Sequence, residues 1–329
     1  MRTLLITRRM SPALAARVQE SVSGQRSGVR RPSRLTPLLR LTTAACVLAL
    51  LVLLVHGWRQ RAAQLSSDRT ELLTQLSTAQ RSLGSDAAAQ RLRVEAALVE
   101  LAAEPPQPNL LPSELRSPEA LSAALARPTL YLRGPLESLR RRDALAEVAH
   151  GSYPDAFVLC LLDPPERRTE KALRAKARAA LTHSARSWAH VERLEPLLKV
   201  LPLLEPAWRE RVEKTSGRPE LASLRRLFSA APVAAAERAA KARQLLAVVD
   251  EPGDLRTPAE LDGERPHAVR IALTDLSRGK VELAYRGAVD PGWLSAATRA
   301  EYASGIDSCS LALDLRQALL AEPAPTRAP

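Results

Sequence analysis

The stretch LTTAACVLALLVLLVHGW, residues 41–58, determines how the rest of the chain is organised. It contains no Asp, Glu, Lys or Arg, and as a helix it would extend roughly 26 Å, enough to cross a thin bilayer core. It lacks the polar stripe at helical spacing that marks the core helix of a soluble domain. Trp58 ends the segment, and tryptophan is enriched at membrane interfaces. The segment therefore predicts a transmembrane helix.

The residues around this span argue against a processed leader. A secretory signal needs small residues after the apolar run, whereas Trp58 and two arginines follow it. A lipidated leader would carry its cysteine at the end of the run, but Cys46 lies near the beginning. A twin-arginine signal is disfavoured because TRRMSP, residues 7–12, lies about thirty residues upstream of the span. We expect the helix to be retained as an anchor.

Flanking charge predicts the orientation of the anchor. Residues 1–40 contain nine arginines and one acid, Glu20, whereas the segment after the span carries three arginines interspersed with two acids. The positive-inside rule then gives a disordered basic cytoplasmic tail over 1–40 and an extracytoplasmic remainder. Forty-two Arg to six Lys and a single Asn are typical of a GC-rich bacterial genome. We therefore expect the bacterial inner (cytoplasmic) membrane.

The net charge of +12 is concentrated in the tail. Residues 1–40 account for +8 of it, so the remaining chain is close to neutral. Aromatic residues make up 3% of the chain, too few for the stacking platforms that bind single-stranded nucleic acid. We expect the arginines to contact anionic membrane lipids, and we expect no nucleic-acid partner.

Residues 59–103 predict a helix that continues from the membrane as a stalk. The segment contains no proline, and Gly84 is its one internal glycine. A second helical stretch carries Leu92, Val99 and alanines on one face. The first stretch has an a/d pattern typical of a short parallel coiled coil that dimerises or binds a protein partner. The alternatives are a lone solvated helix and a helix packed on its own domain. The seam consists of Leu65, Leu72, Leu76, Ala79 and Leu83.

Proline content predicts the domain boundaries. EPPQPNLLPSELRSP, residues 104–118, contains five prolines and is typical of a semi-rigid linker. The proline-containing tail at 322–329 is expected to be disordered. Between them, residues 119–321 are long enough to form one extracytoplasmic domain with its own core.

Apolar patterns within 119–321 predict a helix-rich α/β or α+β domain with a mixed sheet. The expected strands are TLYLR (129–133) and AFVLCLL (156–162), while QLLAVVD (244–250) fits either a strand or a helix end. AVRIALTDLSRGKVELAYRG, residues 268–287, alternates on both sides of LSRG and predicts a C-terminal hairpin. Helices are expected over 136–149, within 166–242, and as two closing helices at 293–303 and 306–321.

This order of elements resembles that of thioredoxin-like domains, with Pro266 just ahead of the hairpin. Arg133 and Leu136 occupy the positions of the paired cysteines of that family. The resemblance therefore implies an alternative fold without redox activity.

Two cysteines beyond the anchor, Cys160 and Cys309, are the clearest candidate pair. In an oxidising compartment they could form a disulfide. The alternative is two free thiols, since Cys160 lies in an apolar run where buried unpaired cysteine is common.

Other candidate residues carry little specific chemistry. His183 and His190 share a helix face, but their spacing is too wide for a metal pair without other ligands. Four acids follow or end expected strands, where carboxylates sometimes form sites: Asp155, Asp163, Asp250 and Asp275. The sequence contains no GxGxxG, phosphate loop, GxSxG, CxxC or HExxH motif. We predict no cofactor and no metal site, and no catalytic residue can be assigned.

These observations favour a single-pass envelope protein that acts as an interaction or scaffold component through its stalk and extracytoplasmic domain. The alternative hypothesis is an anchored enzyme or ligand-binding module whose site is assembled from dispersed residues.

Overall fold

The computed structural model describes residues 36–84, 86–103, 106–152, 156–182, 190–252 and 266–321. The chain divides into two units, Met1–Gln64 and Leu65–Pro329. The described residues do not include 1–35, which make up most of the basic tail predicted for 1–40. They also do not include the C-terminal tail from 322.

The first unit contains the whole apolar segment, residues 41–58. Helix α1 begins at Thr36 and ends at Leu83. Among the described residues it is the one helix long and apolar enough to cross a membrane, and its apolar window is 0% buried. The large side chains from Val47 to Val55 are between 49% and 69% exposed. Such a row of exposed Leu and Val is unfavourable in water, which supports a membrane anchor at this position.

The second unit is built from eleven further described helices and one mixed sheet, as the sequence predicts. The helices are α2 (Asp86–Leu101), α3 (Pro118–Leu125), α4 (Leu136–Leu139), α5 (Leu145–Gly151), α6 (Ala156–Leu162), α7 (Glu170–Thr182), α8 (Glu195–Val200), α9 (Pro206–Lys214), α10 (Arg218–Ser229), α11 (Val233–Ala240) and α12 (Ala296–Leu320). The strands are β1 (Thr129–Pro135), β2 (Val191–Arg193), β3 (Gln244–Asp250), β4 (His267–Asp275) and β5 (Lys280–Val289).

The sheet has the order β2-β1-β3-β4-β5. Strands β2 and β3 run parallel to β1 on either side of it, whereas β4 and β5 are antiparallel to their neighbours. Four residues connect β4 to β5. In this turn Asp275 accepts hydrogen bonds from the backbone of Ser277 and Arg278, and Gly279 has a φ of 62°, which favours glycine.

Both faces of the sheet are buried, because successive side chains of a strand point to opposite sides. Tyr131 and Val248 pack with α6, α7 and α12 in one core. Leu132 and Val249 pack with α2, α5, α8 and α11 in the other. The result is a three-layer arrangement with the sheet in the middle.

Residues 156–162 form helix α6, so the prediction of a strand at AFVLCLL is wrong. A short apolar run fits a buried helix as well as a buried strand. The segment packs between the sheet and α12, and residues 156–161 are all buried. Because every side of this helix is covered, its sequence has no polar face that would reveal helical spacing.

The chain closes with one helix rather than the two predicted at 293–303 and 306–321. Helix α12 continues through Gly305 to Leu320. A Cβ atom at position 305 would lie 2.9 Å from the Cβ of Ala177 on α7. The glycine therefore permits close packing of two helices and does not interrupt α12.

The predicted stalk and linker pack on the domain from Leu65 onward. Val94 and Leu98 of α2 lie in the core on one face of the sheet. Within the linker, Leu110 forms a β-bridge with Ala284 of the edge strand β5, and Leu111 packs against the other core. These segments are parts of the domain, because their apolar residues complete its two cores.

The thioredoxin-like alternative is not supported. It rested on a strand at 156–162, which is helical. The helix predicted over 136–149 is divided into α4, a 3-10 turn at Arg142–Ala144, and α5.

Candidate functional site

The carboxyl ends of β1 and β3 bring together a cluster of charged and polar side chains. Asp250 is the last residue of β3 and pairs in register with Pro135 of β1. Arg133 lies two residues before Pro135, and His267 begins the antiparallel β4 at the same edge. The chain passes from β1 to β2 on one side and then to β3 on the other. Ligand sites of open α/β sheets occur where the strand order reverses in this way.

The side chains at this edge form a hydrogen-bond network. Arg133 donates from Nε to Asp250 Oδ2 at 3.1 Å and from Nη2 to Oδ1 at 2.9 Å. Nε2 of His267 lies 3.1 Å from the same Oδ1. Arg133 also donates from Nη1 to Ser308 on α12, and its backbone N–H donates to Ser152 Oγ at 2.8 Å. The network therefore connects three strands to α12.

Electrostatics keeps the central carboxylate ionised. Burial on its own raises the pKa of Asp250, but hydrogen bonds from His267 and Arg133, together with the positive charge of Arg133, outweigh it and lower this pKa. The side chains of Arg133, Asp250 and His267 are 14%, 22% and 11% exposed. A carboxylate with a lowered pKa is a poor proton acceptor near neutral pH, so this arrangement suits clamping better than general-base chemistry.

A second ionic network lies on the other face of the sheet. Glu251 accepts from Arg270 Nε at 2.7 Å and from Arg286 Nη2 at 2.7 Å. Hydrogen bonding by Arg286 is the largest cause of the lowered pKa of Glu251, and burial opposes it. Arg270 also donates to the carbonyls of Leu101 and Ala103, so the carboxyl end of α2 is held on the sheet.

The structure pairs Cys160 of α6 with Cys309 of α12 in a disulfide, with Cα atoms 5.2 Å apart. Both residues are 0% exposed. Cys309 follows Ser308, so α12 is attached to α6 covalently and to β1 through Arg133 at adjacent positions. Cys46 is exposed and unpaired on α1.

The predicted coiled-coil seam packs on the domain itself. Leu72 and Leu76 are buried against Leu224 and Phe228 of α10, in a cluster that Leu65 joins only partly. Leu83 is buried in the core beside α2. These residues are therefore not available to a partner helix. The leucines have heptad spacing, but helices α9 and α10 of the same chain cover them.

The remaining candidate residues are dispersed. His190 is exposed, whereas His183 and Asp155 lie outside the described residues. Asp163 pairs with Lys176, and Asp275 stabilises the β4–β5 turn. In the described ranges no group of His, Cys, Asp or Glu could hold a metal ion. A shallow pocket lies between α3 and the end of α12 and includes Leu115 and Leu319.

Comparison of the chain with protein-family models, with curated proteins and with solved structures gives no match.

Sequence reasoning identified Asp250 as a candidate but missed Arg133 and His267. A charged residue inside the apolar strand TLYLR is the one local signal that could have indicated Arg133. Its partners are 117 and 175 residues away in sequence, so no spacing pattern connects them.

Proposed function

We propose that this chain is a single-pass protein of a bacterial inner membrane whose extracytoplasmic domain acts as an interaction or scaffold component. The observation that carries the proposal is the row of exposed apolar side chains from Val47 to Val55. The exposed face of a helix in a soluble protein is normally polar. Leu and Val at the centre of a spanning helix each favour membrane insertion by about 0.3 to 0.6 kcal/mol.

Two independent features support an outside location for the domain. The arginines of residues 1–40 favour a cytoplasmic amino terminus. The Cys160–Cys309 disulfide favours an oxidising compartment, because cytosolic thiols are kept reduced. A charge rule and a redox argument thus point to the same orientation.

The contacts that Asp250 already makes favour a role in interaction over one in catalysis. Asp250 is already engaged by Arg133 and His267, which leaves it little capacity to bind or activate a substrate. Exposed apolar side chains are present instead on α2, where Leu92 is 63% and Val99 is 52% exposed. Partner binding through the stalk is therefore proposed for this surface rather than for the buried seam.

Extraction and topology experiments on the full-length protein test the proposal. We expect the protein to stay in vesicles washed with alkaline carbonate. Alkaline phosphatase fused after residue 329 should be active, while a fusion before residue 1 should be inactive. Cys160 and Cys309 should resist alkylation until a reductant is added. Release by carbonate, or activity of the amino-terminal fusion, would contradict the proposal.

The second candidate function is a membrane-anchored enzyme or ligand-binding module. It is favoured by the position of Arg133 and Asp250 where the strand order reverses. Its test is thermal unfolding with ATP, inorganic phosphate or citrate as probes. A rise in Tm that is present in the wild type and absent in D250N would support this candidate, and no rise with any probe would count against it.

A further inference from the structure

Exposed cations from three separate segments converge at the amino ends of β1 and β3. The backbone N–H of Arg243, just before β3, donates to the carbonyl of Pro128, just before β1, at 2.8 Å. The N–H of Leu276, just after β4, donates to the carbonyl of Arg243 at 2.8 Å. These two bonds hold the three segments together at one end of the sheet. We call their exposed cations the amino-end patch, which consists of Arg127, Lys241, Arg243, Arg278 and Lys280.

The carboxylates at this end of the sheet are less exposed than the cations. The side chains of Asp275 and Glu282 are 11% and 24% exposed, against 75% for Arg278. Asp275 accepts from the backbone of the β4–β5 turn, and Glu282 accepts from Gln244 Nε2 at 2.8 Å. A third acid, Glu237 of α11, is half-buried. The outer layer of this surface is therefore positive.

The cations of the amino-end patch contribute little to the fold. In the described chain the side chains of Lys241, Arg243 and Lys280 form no ion pair and no hydrogen bond. The other two form ion pairs of 3.6 and 3.9 Å, longer than a hydrogen bond. Like charges that lie close together repel one another and lower stability. An arrangement that costs stability without a compensating contact is typical of a functional surface.

The surroundings of the patch distinguish between classes of anionic partner. None of the large exposed apolar side chains of the described chain lies in 126–128, 241–243 or 276–280. Binding in a membrane interface buries apolar side chains among the lipids, and single-stranded nucleic acid stacks on aromatic ones. The negative surface potential that attracts basic segments belongs to the cytoplasmic leaflet, whereas this domain is proposed to be extracytoplasmic. These features favour an acidic protein over lipid and nucleic acid.

The residue types of the patch suit carboxylates. A guanidinium group donates two parallel hydrogen bonds to one carboxylate, and a lysine adds a mobile point charge. Three of the five patch cations are arginines. Because the five come from three segments, consecutive acids of one peptide can meet several of them at once.

We propose that the amino-end patch binds an acidic segment of a partner protein, whose Asp and Glu carboxylates pair with its arginines and lysines. This inference rests on the proposed function, because it names a surface and a partner class for the interaction domain. The patch is separate from the exposed apolar side chains of α2.

Peptide binding to the full-length protein in phosphatidylcholine nanodiscs tests the patch. The probe is a fluorescein-labelled oligoglutamate peptide, and fluorescence anisotropy at low salt measures its Kd. R243E/K280E should bind the probe about tenfold more weakly than the wild type, because two attractions become repulsions. No binding by the wild type, or an unchanged Kd in this variant, would overturn the inference.

The matched control is R142E/R218E, which makes the same change in net charge at two exposed arginines outside the patch. Its Kd should stay within about twofold of the wild-type value. The control also corrects for attraction of the probe to the basic residues of 1–40, which are the same in all variants. Equal weakening in the two double variants would show a non-specific charge effect and overturn the inference.

Neutral substitution separates the loss of charge from damage to the fold. R243Q/K280Q removes the attraction without adding repulsion, so it should weaken binding by about threefold. Circular dichroism should give it the Tm of the wild type, because neither side chain has a partner in the described chain. A folded R243Q/K280Q with wild-type affinity would overturn the inference, whatever the fate of the charge-reversed protein.

Phosphatidylglycerol vesicles distinguish lipid from an acidic protein as the partner. Wild-type nanodiscs and R243E/K280E nanodiscs should differ in their affinity for the peptide. Vesicle binding that is lost in R243E/K280E, with equal peptide affinity in both proteins, would assign the surface to lipid and overturn the inference.

This inference and the proposed location of the domain fail in different ways. A protein whose carboxyl-terminal alkaline phosphatase fusion is active, but whose variants bind the peptide equally, keeps the location and loses the patch. A protein whose variants differ as expected, but whose carboxyl-terminal fusion is inactive, keeps the patch and loses the location.

Discussion

Arg133 of β1 and Asp250 of β3 form a two-point ion pair, with the two nitrogen–oxygen distances at 3.1 and 2.9 Å. His267 of β4 contacts the same carboxylate, and Ser308 of α12 accepts from the same guanidinium. One pair of side chains thus fixes the relative positions of three strands and the closing helix at the sheet edge.

The substitution D250N should destabilise the protein by about 1–3 kcal/mol, because it leaves the largely buried Arg133 without its charged acceptor. Urea unfolding of the full-length protein in detergent, followed by circular dichroism, measures the change. The matched control is D143N, which removes an ion pair with Arg141 whose side chains are 67% and 72% exposed. That variant should lose little stability, because water screens an ion pair between exposed side chains. Equal losses would contradict the clamping role of Asp250.

Stability should fall in acid. The folded pKa values of Asp250 and Glu251 are lowered by hydrogen bonds from His267, Arg133 and Arg286 against the opposing effect of burial. The stabilisation is complete above the unfolded pKa values, about 3.9 and 4.3, and is lost as pH falls through the lower folded values. The contribution of these two groups to the free energy of unfolding should therefore be constant between about pH 7 and 5 and decrease below about pH 4.

Urea unfolding at a series of pH values measures this dependence. D250N should show a weaker loss of stability in acid than the wild type, because one of the carboxylates with a lowered pKa is absent. A D250N profile as steep as that of the wild type would exclude Asp250 as a source of the dependence.

Truncation of one leucine on α1 and one on α2 distinguishes the buried seam of α1 from the exposed side of α2. L72A should cost about 2–5 kcal/mol, since Leu72 is 1% exposed and its removal leaves a cavity beside α10. L92A should change the free energy of unfolding of the monomer by less than about 0.5 kcal/mol, because Leu92 is 63% exposed. Thermal unfolding in detergent compares the two variants. A neutral L72A would mean that this part of α1 does not pack on the domain.

Loss of the disulfide should destabilise the domain strongly. Cys160 and Cys309 are 149 residues apart in sequence, and closing a loop of this size contributes about 5 kcal/mol in the chain-entropy description. The double variant C160S/C309S should therefore have a much lower Tm than the wild type, while C46S should match the wild type. A reductant should lower the Tm of the wild type and leave that of the double variant unchanged. A wild-type Tm insensitive to reductant would contradict this role.

Sequence patterns predicted the strands that have an apolar run or a regular alternation of apolar and polar residues. TLYLR, QLLAVVD and the two segments around LSRG correspond to β1, β3, β4 and β5. Strand β2 was missed, because a three-residue strand with the sequence Val-Glu-Arg carries neither an apolar run nor an alternation. AFVLCLL was assigned the wrong structure, because complete burial removes the difference between helical and extended patterns.

The polar cluster was much less predictable than the strands. Strand ends indicated four acids, of which Asp250 belongs to the cluster, Asp163 and Asp275 have other partners, and Asp155 lies outside the described residues. Only the three-dimensional register of β1 and β3 shows that Arg133 reaches Asp250. The seam of α1 was recognised by its spacing, but spacing does not specify whether another chain or the same chain covers it.

The link between α6 and α12 also sets the order of events during synthesis. Helix α6 must wait for 149 further residues to be made before the sulfur atom of Cys160 can meet that of Cys309. Until then α6, a helix with no polar side, lacks its main cover. An apolar helix therefore stays incompletely covered until the last helix of the domain has been made.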